Sequence, residues 1–273
     1  MCLIAFDFRP GSPVPLRLVA NRDEFHQRPT APLQAWEGAP EIVGGRDLEA
    51  GGSWLAVHRR GRVAAVTNVR DPALRVPAEA PSRGQLVREA LESHDLAGWL
   101  ARMAKGDGWR YAGFNLLAGD GRRLWHLHRS RERLLLAEVR PGIHGLSNAS
   151  LDTPWPKLIA VRQGLLTALR RKWPDDALKA MSDDTPADDA HLPDTGVGLD
   201  LERRLSAPFI VGEQYGTRAT TWLEWNDEAG AIVMEEHRYG PGGMALGKAR
   251  ERIALPCTHL GVSSCHDSRG PSA

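Results

Sequence analysis

Apolar positions run together from Cys2 to Phe8 and resume from Leu16 towards Asn21 after a Pro/Gly turn, which predicts a β-hairpin at the start of the chain. Ser53–His58 and Arg62–Thr67 read as a second strand pair around Arg59-Arg60-Gly61, with Trp54, Ala56 and His58 alternating against Leu55 and Val57. The period then lengthens. Leu86, Val87, Ala90 and Leu91 follow the cap-type residue Ser82, and a second amphipathic stretch runs from Asp95 to Met103, so two helices are expected. Phe114–Ala118, Arg123–His128 and Arg133–Val139, split by short polar turns, predict an antiparallel meander, and Ile143–Ser147 a short strand. Leu158, Val161, Leu165 and Leu169 mark the strongest helix, from Trp155 to Trp173. Acidic, Pro- and Gly-rich residues from Asp175 to Asp200 predict a surface excursion with one short helix. Strands return at Arg218–Trp225 and Ala231–Tyr239, and small polar residues beyond predict a loose tail over 256–273.

Strands, then helices, then strands with antiparallel connections predict an α+β fold in one domain over residues 1–255, its paired sheets covered by helices. Charge is balanced, Lys plus Arg 35 against Asp plus Glu 34, so no global field favours nucleic acid or an anionic membrane. Cysteines at 2, 257 and 265 give no disulfide framework, the apolar runs are strand-sized, and the N-terminal residues lack a basic leader. A cytoplasmic protein with no integral membrane segment is expected.

Candidate chemistry starts at Cys2. Removal of Met1 leaves a thiol and a free α-amine on one residue, and the amine can take the thiol proton without a separate histidine. A strand starting at residue 2 holds that nucleophile at a rigid sheet end. The second strand leads into Asn21-Arg22-Asp23-Glu24-Phe25. Four polar residues after an apolar strand are ordinarily a solvated turn. Either the strand ends before Asn21, or it continues with Asn21 and Asp23 on one face and Arg22 and Glu24 on the other.

Met1-Cys2-Leu3-Ile4, Ala20 to Phe25, Gly51-Gly52-Ser53-Trp54-Leu55, Ala65-Val66-Thr67-Asn68, Gly113-Phe114-Asn115-Leu116, Gly145-Leu146-Ser147-Asn148 and Tyr215-Gly216-Thr217-Arg218, in this order, resemble the NRDE family, the homologues of transport and Golgi organisation protein two. That family in turn resembles N-terminal-nucleophile hydrolases of the choloylglycine hydrolase and penicillin V acylase type, which implies a four-layer α/β/β/α sandwich. The resemblance implies catalytic roles for Cys2, Arg22, Asp23, Asn68, Asn148 and Arg218. Cys2 is the nucleophile, Arg22 favours the thiolate, and Asp23 orients the α-ammonium. Asn68 and Asn148 hold the oxyanion, and Arg218 grips a substrate carboxylate or phosphate. Asn21, Glu24 and Trp54 are expected substrate contacts. The function expected is Cys-dependent hydrolysis of an amide, thioester or related acyl bond in a small molecule, with no cofactor required. Family members are implicated in haem mobilisation, in lipid or acyl-CoA handling and in secretory-pathway organisation. The alternative is therefore a non-catalytic carrier of haem, acyl-CoA or lipid on the same fold.

Weaker signals remain. Cys257, His259, Cys265 and His266 lack the spacing of a structural zinc site, and no metal is expected. His126 and His128 share a strand face, ordinarily a solvated one, from which they could ligate metal or haem. Trp36, Trp54, Trp155 and Trp222 could line an acyl or tetrapyrrole pocket, though core packing is the usual role of Trp.

Overall fold

A computed structural model describes residues 2–256. The chain opens with β1 (Cys2–Phe8), β2 (Leu16–Phe25), β3 (Thr30–Trp36), β4 (Ala39–Asp47), β5 (Leu55–His58) and β6 (Arg62–Asn68). Two helices follow, α1 (Gly84–Glu92) and α2 (Leu96–Lys105), then β7 (Phe114–Gly119), β8 (Leu124–Arg129), β9 (Leu134–Glu138) and β10 (Gly142–Leu146). The remainder holds α3 (Pro156–Arg170), α4 (Asp175–Met181), α5 (Leu199–Arg204), β11 (Tyr215–Asn226), β12 (Ala231–Tyr239) and β13 (Ala245–Ala254).

The strands form two antiparallel sheets, a six-stranded one ordered β10-β1-β2-β11-β12-β13 and a seven-stranded one running from β3 to β9 in chain order. Strand alternation builds the layers. In β1, Ile4, Phe6 and Phe8 point between the sheets and meet Leu18, Ala20, Val57, Ala65 and Leu117. Leu3 and Ala5 point outward, where Leu158, Val161 and Leu165 of α3 and Ala177 and Met181 of α4 cover them. On the far side, Leu86, Val87, Ala90 and Leu91 of α1 and Leu100 of α2 pack on Ala56, Ala64, Leu116 and Leu127 of the other sheet. The result is the four-layer α/β/β/α sandwich that the resemblance implies. Both central sheets are covered on both faces, and each large apolar side chain so buried contributes ~1.5–3 kcal/mol.

Helix ends follow local chemistry. Asp95 caps α2 by accepting from Gly98 N at 2.9 Å, and Pro156 occupies the first turn of α3.

Several expectations need correction. Of the two alternatives at Asn21 the structure takes the second: β2 runs through Phe25 because β11 pairs with it as far as Tyr215. β3, β4 and β13 were not expected. The first two carry Pro32, Pro40, Gly44 and Gly45 and break register, while β13 is a mostly exposed edge strand with charged Lys248, Arg250 and Arg252. The acidic stretch after Asp175 is not all surface, since Met181 is fully buried against the sheet. His126 and His128 are likewise buried between the sheets. Residues 257–273 lie outside the described residues.

The α3–α4 contact supplies a test. A Cβ on Gly164 would stand 2.2 Å from Ala180 Cβ. Gly164→Ala is therefore expected to destabilise the protein by ~1–3 kcal/mol in denaturant unfolding, where an unhindered helical site would gain up to ~1 kcal/mol. A neutral or stabilising result would show that α4 does not press on α3 here.

Candidate active site at the Cys2 cleft

Antiparallel pairing sets Cys2 opposite Arg22, and the two side chains leave the sheet on the same, inter-sheet face. β2 continues past this pair, with Asp23 opposite Thr217 and Phe25 opposite Tyr215, so Asp23 and Glu24 reach the end of the sheet beside the thiol. A cleft of about 400 Å³ opens there, lined by Cys2, Arg22, Asp23, Glu24, Trp54 and Asn68 among others. Six predicted residues thus share one cavity. Cys2 itself is only 7% exposed.

The electrostatics are set by burial. Burial raises the Cys2 thiol above its ordinary range and the carboxylates of Asp23 and Glu24 add to this, while the Arg22 guanidinium pulls it down. Burial also raises Asp23, opposed by Lys157, by a hydrogen bond from Thr217 Oγ1 at 2.8 Å and by Arg70. Lys157, in the first turn of α3, donates from Nζ to Leu205 O at 2.9 Å, and burial lowers its pKa to about 8. Arg70 forms a buried ion pair with Glu202 at 2.6 Å and lies over the Trp155 ring. A charged layer therefore backs the thiol from the helix side. None of Lys157, Arg70, Glu202 or Arg83, which also lines the cleft, carries a sequence signal. Each is a lone charge whose partner is distant in the chain.

The remaining expected residues are placed elsewhere. Asn21 points to the helix layer, where Nδ2 donates to Met181 O at 2.8 Å and Pro208 O at 2.9 Å and Oδ1 accepts from Thr220 at 2.6 Å. It is a structural clamp, because strand alternation turns it away from Cys2. Asn148 lies behind Asn68, donating from Nδ2 to Asn68 O at 2.9 Å, and lines a different surface cleft with Arg70 and His128. It positions Asn68. Arg218 occupies a β-bulge between Thr217 and Ala219 and lines a smaller pocket that shares Arg22 and Trp54 with the Cys2 cleft.

Asn148 is in turn held by Asn115. The Asn115 amide donates to Ala149 O at 2.7 Å and Thr67 Oγ1 at 3.1 Å, and Thr67 donates to Ser147 O at 2.6 Å. Asn115 Oδ1 accepts from His126 at 3.0 Å and His128 at 2.7 Å. Both rings are engaged inside the sandwich, which takes them away from any ligand in the Cys2 cleft. Of the four tryptophans, Trp54 alone lines that cleft; Trp36 and Trp222 lie in the two sheet–helix cores and Trp155 lines the Asn148 cleft.

Residues 1–240 match the family described as Transport and Golgi organisation 2. The chain belongs to this family. It is 37% identical to the Transport and Golgi organization protein 2 homolog of Bos taurus over 246 residues, covering 81% of this chain and 87% of that protein. With the Homo sapiens homolog it is 36% identical over 244 residues, with the same coverage. Among solved structures it is similar to a mutant conjugated bile acid hydrolase from Clostridium perfringens, at TM-score 0.49 and 8% identity over 93% of this chain and 92% of that one. A Caenorhabditis elegans N-acylethanolamine-hydrolyzing acid amidase ortholog gives TM-score 0.46 and 8% identity over 81% and 92%. Family membership does not by itself assign an activity or a substrate. Among the described residues no helix is long and apolar enough to cross a membrane.

The Asn115 network predicts a pH dependence. Burial, with a smaller contribution from His128, lowers the His126 pKa from 6.5 to about 3. Below pH ~6.5 the unfolded chain takes up a proton that the folded ring refuses, so this stability is full above that pH and is lost as pH falls towards 3. Between pH 6.5 and 5 the expected loss is about 2 kcal/mol from this ring. Denaturant unfolding of wild type and His126→Gln across that range checks it, the variant being expected to show a flatter slope.

Proposed function

We propose that the protein is a Cys-dependent N-terminal-nucleophile hydrolase acting on an amide, thioester or related acyl bond of a small molecule. The observation that carries this reading is the convergence of Cys2, Arg22, Asp23 and Asn68 on one cleft at the end of β1 and β2. Once Met1 is removed, the Cys2 α-amine accepts the thiol proton and Sγ attacks the carbonyl carbon. The carbonyl oxygen becomes an oxyanion, to which the Asn68 amide donates. As the oxyanion collapses, the bond to the leaving group breaks, that group takes the proton, and an acyl-enzyme remains. Water then attacks the acyl-enzyme and returns the thiol. Arg22 opposes, in part, the burial that holds the thiol protonated, and Asp23, steadied by Thr217 and Lys157, accepts from the α-ammonium.

The second reading is a non-catalytic binder of haem, acyl-CoA or lipid in the same cleft. It is favoured by the burial that keeps the thiol in its unreactive, protonated form. The cleft volume of about 400 Å³ falls within the ordinary range for small-molecule sites.

Intact mass separates the two readings. Loss of Met1 followed by a single adduct at Cys2 from an acyl electrophile supports the nucleophile, and labelling is expected to accelerate as pH rises. On a turned-over acyl substrate, Cys2→Ala is expected to abolish activity and Asn68→Ala to lower kcat about 10²- to 10³-fold. Full retention of Met1 would rule out the self-activated thiol. Haem, acyl-CoA or fatty-acid affinity unchanged in Cys2→Ala, with no turnover by wild type, would establish the binder.

A further inference from the structure

Space between two packed sheets is ordinarily filled by apolar side chains. Beside the Cys2 cleft it is filled by guanidinium groups. Arg22 of β2, Ala219 of β11 and Arg238 of β12 are neighbours across successive strands, and the bulge in β11 adds Arg218 to the same end. These three arginines line a pocket of about 50 Å³, roofed by Thr30, Ala31 and Pro32 of β3. Arg22 donates to Thr30 Oγ1, and Arg218 Nη1 donates to the backbone oxygens of Phe25 and Arg28. Those acceptors are neutral. Among the described residues, Nε of Arg218 and Nε of Arg238 are buried with no acceptor.

The carboxylate in the pocket does not balance this charge. Glu236 is the one carboxylate lining the pocket against three guanidinium groups, and it spends Oε1 on Leu33 N at 2.9 Å. A buried donor without an acceptor is costly, and a bound anion would supply acceptors to these Nε groups and charge to offset the excess of guanidinium. Size then selects the anion. A water needs roughly 10–15 Å³ of such space, so the pocket admits a group of a few heavy atoms and excludes a ring.

We propose that this pocket binds one compact anionic group, a carboxylate or a tetrahedral oxyanion, and that Arg238 grips it in a planar two-point contact. Arg22 and Trp54 also line the Cys2 cleft, so an anion held here lies beside that cleft, across side chains common to both. The pocket's selectivity stands whether or not Cys2 acylates.

The test uses Cys2→Ser protein, so that binding is read without turnover. Sodium acetate and inorganic phosphate are titrated separately, at ionic strength held constant with sodium chloride, while the melting temperature is followed. A saturable rise with either anion is expected, the responding one naming the class, and Arg238→Met is expected to weaken it about fivefold or more. The anion-free melting temperature reports whether Arg238→Met folds. If it does not, Arg238→Lys takes its place, keeping the charge but losing the planar grip, with the same weakening expected. The proposal is overturned if neither anion gives a saturable response, the mark of an adventitious ion only, or if the folded Arg238 variant titrates like wild type.

Discussion

The pairing of β1 with β2, which puts Cys2 across from Arg22, is the constraint on which the site depends. Side chains alternate with period two, so a slip of one residue would break this pairing and turn one strand's inter-sheet set towards the helices. The core prevents the slip. Ile4, Phe6, Leu18 and Ala20 are fixed to the inter-sheet face by the seven-stranded sheet opposite them, while Leu3, Ala5 and Val19 are fixed to the helix face by α3 and α4. Apolar packing along the whole hairpin thereby aims one thiol at its end.

Charge is arranged around that thiol in two layers with different purposes. On the inter-sheet side, Arg22, Arg218 and Arg238 gather around a small pocket, with Arg22 and Arg218 donating to neutral oxygens. Towards the helices the charges meet one another: Arg70 pairs with Glu202, and Lys157 lies within electrostatic reach of Asp23. A buried pair of this kind adds little net stability, yet removing one partner strands the other. The helix-side layer is thus a rigid support for Asp23, whose carboxyl is further held by Thr217.

Elements with a continuous apolar pattern were legible in the chain, among them β1, β5 to β8, α1, α2 and α3. Adjacent Arg22 and Asp23 posed the alternation question correctly, and only the partner strand β11 could answer it. β13 was not legible because its residues face solvent and its hydrogen bonds depend on β12, which no local pattern reports. Asn68 and Asn148 occupy similar strand-end contexts, yet one reaches the cleft and the other braces it. That difference rests on long-range contacts, the Asn148 amide bonding Asn68 O and Asn115 bonding Ala149 O beside it. His126 and His128 look solvated by sequence for the same reason, since their shared acceptor is on the neighbouring strand.

The bulge at Arg218 changes what the strand can tolerate. Thr217 is opposite Asp23 and Ala219 is opposite Arg22, so the ladder is in order on either side of the arginine. Arg218 is a supernumerary residue in the pairing. Were it deleted, Thr217 would still face the helices and Ala219 the other sheet, and the hydrogen-bond ladder would close over the gap. The ladder of β11 therefore does not depend on the arginine it carries here, and the side chain beside the site is set by an inserted residue while every other side chain of the strand keeps its face.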